Sequence, residues 1–268
     1  MTSIIAIDDP SDPRIAAYHQ IRERDLVGRD GHFIAEGKVV LQVLLGSSRH
    51  RPLSLLLADR HVAAMAPLLA GLPPTIPVYR ASQPVLDTIA GFPIHRGILA
   101  HGQRAAMPSA EQLLDRMGRR AVIVVLAGIS NHDNMGGIFR NAAAFGVDAV
   151  LLDAACCDPL YRKAIRVSVG ASLMVPFTRL DAPAHPLELL ARHHFTALAL
   201  SPGGATALSD LTRPDRVAVL FGAEGPGLSG ELLARSRTVR IPMVAGFDSL
   251  NVATTSGIVL HHLACGGA

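Results

Sequence analysis

The sequence predicts an α/β protein in two parts: a small α/β domain over residues 1–104 and a parallel-sheet domain over residues 120–268, with residues 105–119 as the linker. Three observations carry that reading. The chain is 268 residues long, ample for two domains. Short apolar runs alternate with helical stretches along most of it. Its composition, 49% apolar and 18% charged, supplies a core and excludes a disordered chain, a coiled coil or a collagen-like fibre.

In the first part, "HFIAEGKVVLQVLLG" reads as the end of a strand, a turn at Glu36-Gly37, and a helix carrying Val39, Val40, Leu41, Val43 and Leu44. "PLSLLLADR" and "TIPVYRA" read as strands, with "HVAAMAPLLAGL" between them as a helix. The polar, Arg-containing stretch 101–120 holds the linker. The second part alternates more clearly. Residues 122–126, 149–153, 195–200 and 217–221 are short apolar runs of the kind expected for parallel strands covered on both faces. Helical stretches at 137–144, 159–168 and 186–193 separate them, "TVRIPM" is a further strand, and 250–264 a last helix. Repeated β-α-β of this type places ligand chemistry in the loops that leave the carboxyl ends of the strands.

The longest apolar run, "AVIVVLAGI" at 121–129, is nine residues, about half of what a spanning helix needs, so no membrane segment is expected. "MTSIIAIDDPSDP" has no basic n-region and implies no secretory signal. Cys156, Cys157 and Cys265 form neither a disulfide framework nor a C-x-x-C pair, so buried or half-buried free thiols in a reducing cytoplasm are expected. His193-His194 and His261-His262 are adjacent pairs that point different ways on a helix, and no metal site is expected. Of the 25 basic residues only Lys38 and Lys163 are lysines. Residues 1–120 carry 14 basic and 11 acidic side chains; residues 121–268 carry 11 of each. The arginine fork suits phosphate, so a nucleic-acid partner is permitted, although a GC-rich coding sequence produces the same bias. With no Trp and three Tyr, stacking on unpaired bases is not indicated.

Three loops could carry chemistry. "SNHDNMGGIFRNAAAFG" follows the 122–126 strand; Asn131, Asp133 and Asn134 are loop or cap residues, and Gly136-Gly137 permits close backbone approach. Arg140 then adds a cation near a helix N-terminus that is already partly positive, which makes sense if an anion or a developing oxyanion visits. "LFGAEGPGLSGELL" contains G-x-G-x-x-G after a strand, with Asp248 about twenty residues on, and mechanically matches a dinucleotide fingerprint. Fewer than forty residues remain to build further βα units, and Glu224 would sit beside a pyrophosphate, so an NAD or FAD oxidoreductase is disfavoured. In "RIPMVAGFDSLNVATTSGIVLHHLA", Asp248, Ser249 and Asn251 crowd the start of the last helix, with Ser249 or Asp248 as its N-cap. No G-x-S-x-G elbow, P-loop or H-E-x-x-H is present.

Together these blocks resemble the SpoU (TrmH) family of RNA ribose 2′-O-methyltransferases, of the SPOUT superfamily. "NMGGIFR" (Asn134 to Arg140) resembles the family's N-x-G-x-x-x-R motif, "LFGAEGPGL" its second and "IPMVAGFDSLNVA" its third, in that order. "KAIRVSVGASLMVPF" between them is also similar, and "FIAEGKVVLQVLL" resembles, less specifically, the substrate-binding domain that often precedes the catalytic one. Asp248 departs from the family in standing where many relatives have Glu.

The resemblance implies a C-terminal domain threaded into a deep trefoil knot, a rare exception to unknotted chains. It implies a homodimer in the cytoplasm that uses S-adenosylmethionine to methylate a ribose 2′-hydroxyl of ribosomal or transfer RNA. Gly222, Ile241, Met243 and Leu250, with Leu200 and Ser201, would form the cofactor site. Arg140, Asn134, Glu224, Ser249 and Asn251 would be the catalytic set, with Arg140 facing the reacting oxygen. The alternative is a non-catalytic RNA-binding or ribosome-assembly protein that keeps the fold, although a degenerate site has no chemical need for that intact set.

Overall fold

The computed structural model describes residues 3–19, 21, 31–47, 49–180, 186–244, 246–247 and 249–265. The elements, in order, begin with β1 (Ile4–Ile7), β2 (His32–Glu36), α1 (Lys38–Gly46), β3 (Arg51–Ala58), α2 (Asp59–Leu69), β4 (Val78–Ala81), α3 (Gln83–Ala90) and β5 (Ile98–Gln103). They continue with α4 (Ala110–Asp115), β6 (Ala121–Ala127), α5 (His132–Ala144), β7 (Ala149–Leu152), α6 (Arg162–Val167), β8 (Phe177–Arg179), α7 (Pro186–Arg192) and β9 (Thr196–Leu200). The chain closes with β10 (Thr206–Ala207), β11 (Arg216–Gly222), α8 (Gly230–Ala234), β12 (Arg237–Arg240) and α9 (Val252–Cys265). They divide into two compact units, Met1–Ala105 with Asp158–Met174, and Ala106–Cys157 with Val175–Ala268.

The first unit is a five-stranded mixed sheet in the order β1-β4-β3-β5-β2. β1, β4 and β3 are parallel, and β5 runs antiparallel to both β3 and β2. Ile7, Ile15, Ile34, Leu56, Leu86 and Leu99 form its core with Tyr18, whose hydroxyl bonds Ser54 Oγ at 2.8 Å and accepts from the His101 backbone N–H at 3.2 Å. Burial raises the Tyr18 phenol well above its ordinary range. His101, read from sequence as the start of the polar stretch, is buried inside β5, a strand flanked by β3 and β2 and buried at five consecutive residues.

The second unit is a seven-stranded sheet, order β10-β12-β9-β11-β6-β7-β8, parallel throughout. β6 is buried along nearly all of its length, as a strand covered on both faces must be. Ile123, Val125, Leu151, Ala199, Ala218 and Leu220 pack with Leu114, Leu190 and Phe195 into one cluster.

Two segments fall differently from their sequence reading. Residues 105–119, expected as a linker, hold α4, which opens on a capping box between Ser109 and Gln112 and buries Ala110, Leu113 and Leu114 in the second unit's core. The helix at 159–168, expected to cover the parallel sheet, is the shorter α6 and belongs to the first unit. Its Arg162 pairs with the buried Glu36 at the end of β2 and lies 4.9 Å over the Phe92 ring. A buried carboxylate that needs its one cation explains why this segment is held there.

The three cysteines form no disulfide; Cys156 is buried, Cys157 half-buried and Cys265, against expectation, exposed. Burial pushes the Cys156 thiol up to about 12, and its sulfur accepts from the Ile129 N–H, which suits packing and not nucleophilic chemistry. Among the described residues no helix is long and apolar enough to cross a membrane.

Candidate active site

α5 begins sooner than the glycine pair suggested. Asn131 is its N-cap, accepting from the Asp133 N–H at 2.8 Å, so Asn134 lies in the first turn and Gly136-Gly137 inside the helix. Gly137 is required by packing: a Cβ there would stand 2.7 Å from that of Ala253 on α9. Beside it, Asn141 donates to Ala253 O at 2.7 Å and to Ser256 Oγ at 2.9 Å, a link that no sequence motif flagged.

The cap of α9 also differs from the sequence reading. Ser249 does not cap it, and Asp248 lies outside the described residues. Asn251 does: its Oδ1 accepts from the Ala253 and Thr254 N–H groups at 2.9 and 3.2 Å. Its Nδ2 donates to Asn134 Oδ1 at 2.8 Å and to Glu224 Oε1 at 2.9 Å. One carboxamide thus uses both hydrogens and its oxygen to tie α5, α9 and the β11–α8 loop together. Asn134 is only 6% exposed, so its carbonyl depends on this donor.

Against this junction lies a cavity of about 550 Å³ at the carboxyl ends of β9, β11 and β12. Leu200, Ser201, Gly222, Glu224, Ile241, Met243, Ser249, Leu250 and Asn251 all line it. Pro202, Phe221, Ala223, Val239, Val252 and Thr255, which sequence reasoning did not single out, line it too. The first of these leave strands that looked purely structural, and Thr255 reaches it from one turn inside α9, where period alone gives no functional signal. Ile241 and Met243 are not in a strand, since β12 ends at Arg240; they belong to the loop that forms the wall. Gly222 is a true glycine position: a Cβ there would overlap the Gly227 carbonyl carbon and the Leu228 nitrogen. The apparent dinucleotide glycines form a tight turn, in which Gly227 N–H donates to Ala223 O at 3.0 Å, with Gly225 and Gly227 at φ 89° and 69°.

Arg140 stands apart. It is exposed and is not among the residues lining the cavity. As the ninth residue of α5 it lies beyond the first turn, where the charge of the helix end acts, so the argument from two adjacent cationic elements does not hold. Six residues from Asn134 place it about 120° round the helix.

Glu224 is the one ionisable side chain lining the cavity among the described residues; no Lys, Arg or His shares the wall. A pyrophosphate would meet a carboxylate and no counter-charge there, which opposes the dinucleotide reading. Among the described residues no group of His, Cys, Asp or Glu is placed to hold a metal ion.

A doubly covered parallel sheet with a small-molecule cavity at its strand ends defines a ligand-binding α/β protein. The sequence profile of the SpoU rRNA methylase family matches residues 121–261, and the chain belongs to that family. An uncharacterized tRNA/rRNA methyltransferase of Mycobacterium tuberculosis is 43% identical over 264 residues, covering 94% of this chain and 89% of the relative. The fold is similar to that of the SpoU methyltransferase AviRb from Streptomyces viridochromogenes, crystallised with AdoMet (TM-score 0.82, 19% identity, 94% of this chain and 98% of that one). It is also similar to a crystallised RNA 2′-O ribose methyltransferase (TM-score 0.81, 22% identity, 98% and 99%).

Proposed function

We propose that the chain uses S-adenosylmethionine to methylate a ribose 2′-hydroxyl in ribosomal or transfer RNA. The observation that carries this reading is the strand-end cavity with apolar walls, one carboxylate and no cation, which suits a ligand bearing a sulfonium and an ammonium group. Membership of an RNA methylase family and a fold shared with an AdoMet complex support it. When bound, the cofactor supplies a methyl group already activated by positively charged sulfur. Leu200, Ser201, Gly222, Ile241, Met243 and Leu250 hold it, Gly222 by leaving room for the backbone that closes the cavity.

The protein must then orient a weak nucleophile and stabilise the negative charge that grows on its oxygen. Arg140 takes the second role. A guanidinium titrates above about 12 and is no base, so the proton leaves to water or to an RNA phosphate oxygen. Asn134, Ser249, Asn251 and Glu224 orient the reacting groups, Asn134 and Glu224 being steadied by the hydrogen bonds they accept from Asn251. Because Arg140 is exposed and outside the wall of its own chain's cavity, it meets the ribose from a second copy across a homodimer. Exposed Val244, Phe247 and Ile258, 78%, 63% and 40% accessible, supply apolar surface for that pairing.

The reading includes a trefoil knot through the loops around the cavity, RNA selection by residues 1–104, and a cytoplasmic location consistent with free thiols and an RNA substrate. Its test is purified protein incubated with unmodified ribosomal and transfer RNA and methyl-labelled S-adenosylmethionine, with NAD titrated in parallel. Label in RNA together with saturable S-adenosylmethionine binding supports it. Binding of NAD in place of S-adenosylmethionine refutes it. RNA binding with neither cofactor bound identifies a non-catalytic RNA-binding protein.

A further inference from the structure

The first unit contains a second cavity, about 460 Å³, into which the start of α1 opens. Lys38, His61, His95, Arg96 and Arg166 line it, and no carboxylate does. Four arginines of this unit are neutralised, Arg162 by Glu36, Arg104 by Asp158, Arg80 by Asp59 and Arg14 by Asp12, while Arg51 and Arg60 bond neutral side chains. Lys38, Arg96 and Arg166 have no such partner among the described residues.

Their arrangement is electrostatically unfavourable as it stands. Gly37 is the N-cap of α1, at φ 106° and with no side-chain cap. The Arg96 Nη1 lies 3.1 Å from where a Cβ on Gly37 would be, so a guanidinium rests over the positive end of the nine-residue helix. Lys38 follows at once in sequence. Like charges gathered on one cavity are stabilised when an anion sits among them. Val169, which lines the same cavity at φ 54°, is the left-handed residue that ends α6, its N–H donating to Arg166 O at 3.2 Å and the Gly170 N–H to Ile165 O at 2.9 Å. No Phe, Tyr or Trp is in the wall, and its cations and N–H donors suit an anion.

We propose that this cavity binds a backbone phosphate of the RNA substrate, held by Lys38, Arg96, Arg166 and the first N–H groups of α1. The proposal rests on the RNA-methylation reading above and adds where the substrate is gripped: by its backbone, independently of base identity and outside the cofactor cavity. The contact therefore contributes to KM for RNA and leaves S-adenosylmethionine affinity alone.

The test uses full-length protein and in vitro transcripts of ribosomal and transfer RNA, with binding measured from 50 to 200 mM KCl. The triple variant Lys38→Ser, Arg96→Ser, Arg166→Ser is expected to bind about tenfold more weakly and to lose about 1 from the slope of log affinity against log salt. Val39→Glu guards against a folding artefact. Val39 is 53% exposed in the first helical turn, where Glu favours the helix, so thermal stability holds or rises while RNA affinity falls. RNA affinity and salt slope unchanged in both variants overturn the proposal, as does tighter binding of polyglutamate than of RNA by the wild-type chain. Failure of the methylation reading shows separately, as a wild-type chain that gives no label although these variants still lose RNA affinity.

Discussion

The two units handle buried polarity in opposite ways. In the first, polar groups go into the interior and most are paired there, Glu36 with Arg162, Tyr18 with Ser54 and the His101 backbone, and His50 Nδ1 with the Ala105 N–H, while the Nε2 atoms of His50 and His101 have no hydrogen-bond partner. In the second, the interior of the sheet is almost wholly apolar, and polar side chains collect at one end of the strands, where Asn134, Asn251 and Glu224 meet. A mixed sheet whose apolar core admits a few paired polar side chains can hold a shape and offer cations at its surface. An all-parallel sheet frees its strand ends for a cavity whose polar groups brace one another. In the proposed reading, small-molecule chemistry belongs to the second unit and backbone recognition of a large anion to the first.

The sharpest way to break that division is Gly222→Val. The added side chain has no room against Gly227 and Leu228, so S-adenosylmethionine binding is expected to vanish in calorimetric titration, while RNA binding through the first unit persists. Simultaneous loss of RNA binding would show that the two units do not divide the work. Arg140→Ala comes next, with turnover down roughly a hundred- to a thousandfold and cofactor affinity unchanged, since the side chain lies outside the cavity wall. Mixing this variant with Gly222→Val and allowing subunits to exchange restores part of the activity if Arg140 serves a partner's site. Persistent inactivity of the mixed sample places Arg140 with its own chain's cavity.

Asn251→Ala removes a helix cap and strands Asn134 and Glu224 without their shared donor. A stability loss of about 2 kcal/mol is expected in denaturant unfolding, with a larger relative loss of activity than Asn141→Ala produces. The smallest effect concerns acid. Burial holds His50 and His101 at about 4, well below the ordinary value near 6.5, with Arg49 and Arg104 adding to the effect at His50 and His32 at His101. Both are neutral in the folded chain, and the unfolded chain takes up protons first. Their contribution to stability is therefore complete above pH 6.5 and is lost as pH falls from 6.5 through 4. His101→Phe, which leaves no orphaned nitrogen, should flatten the melting temperature over that range; an unchanged acid slope would show that His101 is already solvated.

Much of this was legible in the sequence, and the exceptions share a cause. The runs at 122–126 and 217–221 lie on strands of the parallel sheet, and those at 149–153 and 195–200 overshoot theirs by one residue each, because strands buried on both faces read as continuous apolar segments. β1, β8 and β10, of four, three and two residues, were too short to give a period. α4 hid in a polar stretch, since six residues need only three buried side chains and a capping box. At the cavity, the family resemblance brought Gly222, Glu224, Ile241 and Asn251 to one wall, yet capping rules chose Ser249 or Asp248 over Asn251. Such rules weigh local N–H partners and cannot see that Asn251 is also needed by Asn134, 117 residues away in sequence. Arg140 shows the converse error, in which a helix-end argument was applied two turns too late.

The central claim, a methyl group placed on a ribose oxygen by the second unit's strand-end site, is tested most directly by alkaline hydrolysis of RNA labelled by the protein. A methylated 2′-oxygen cannot attack its neighbouring phosphate, so the account predicts label in alkali-resistant dinucleotides, lost with Arg140→Ala. Label released wholly as mononucleotides would place the methyl group on a base and contradict it.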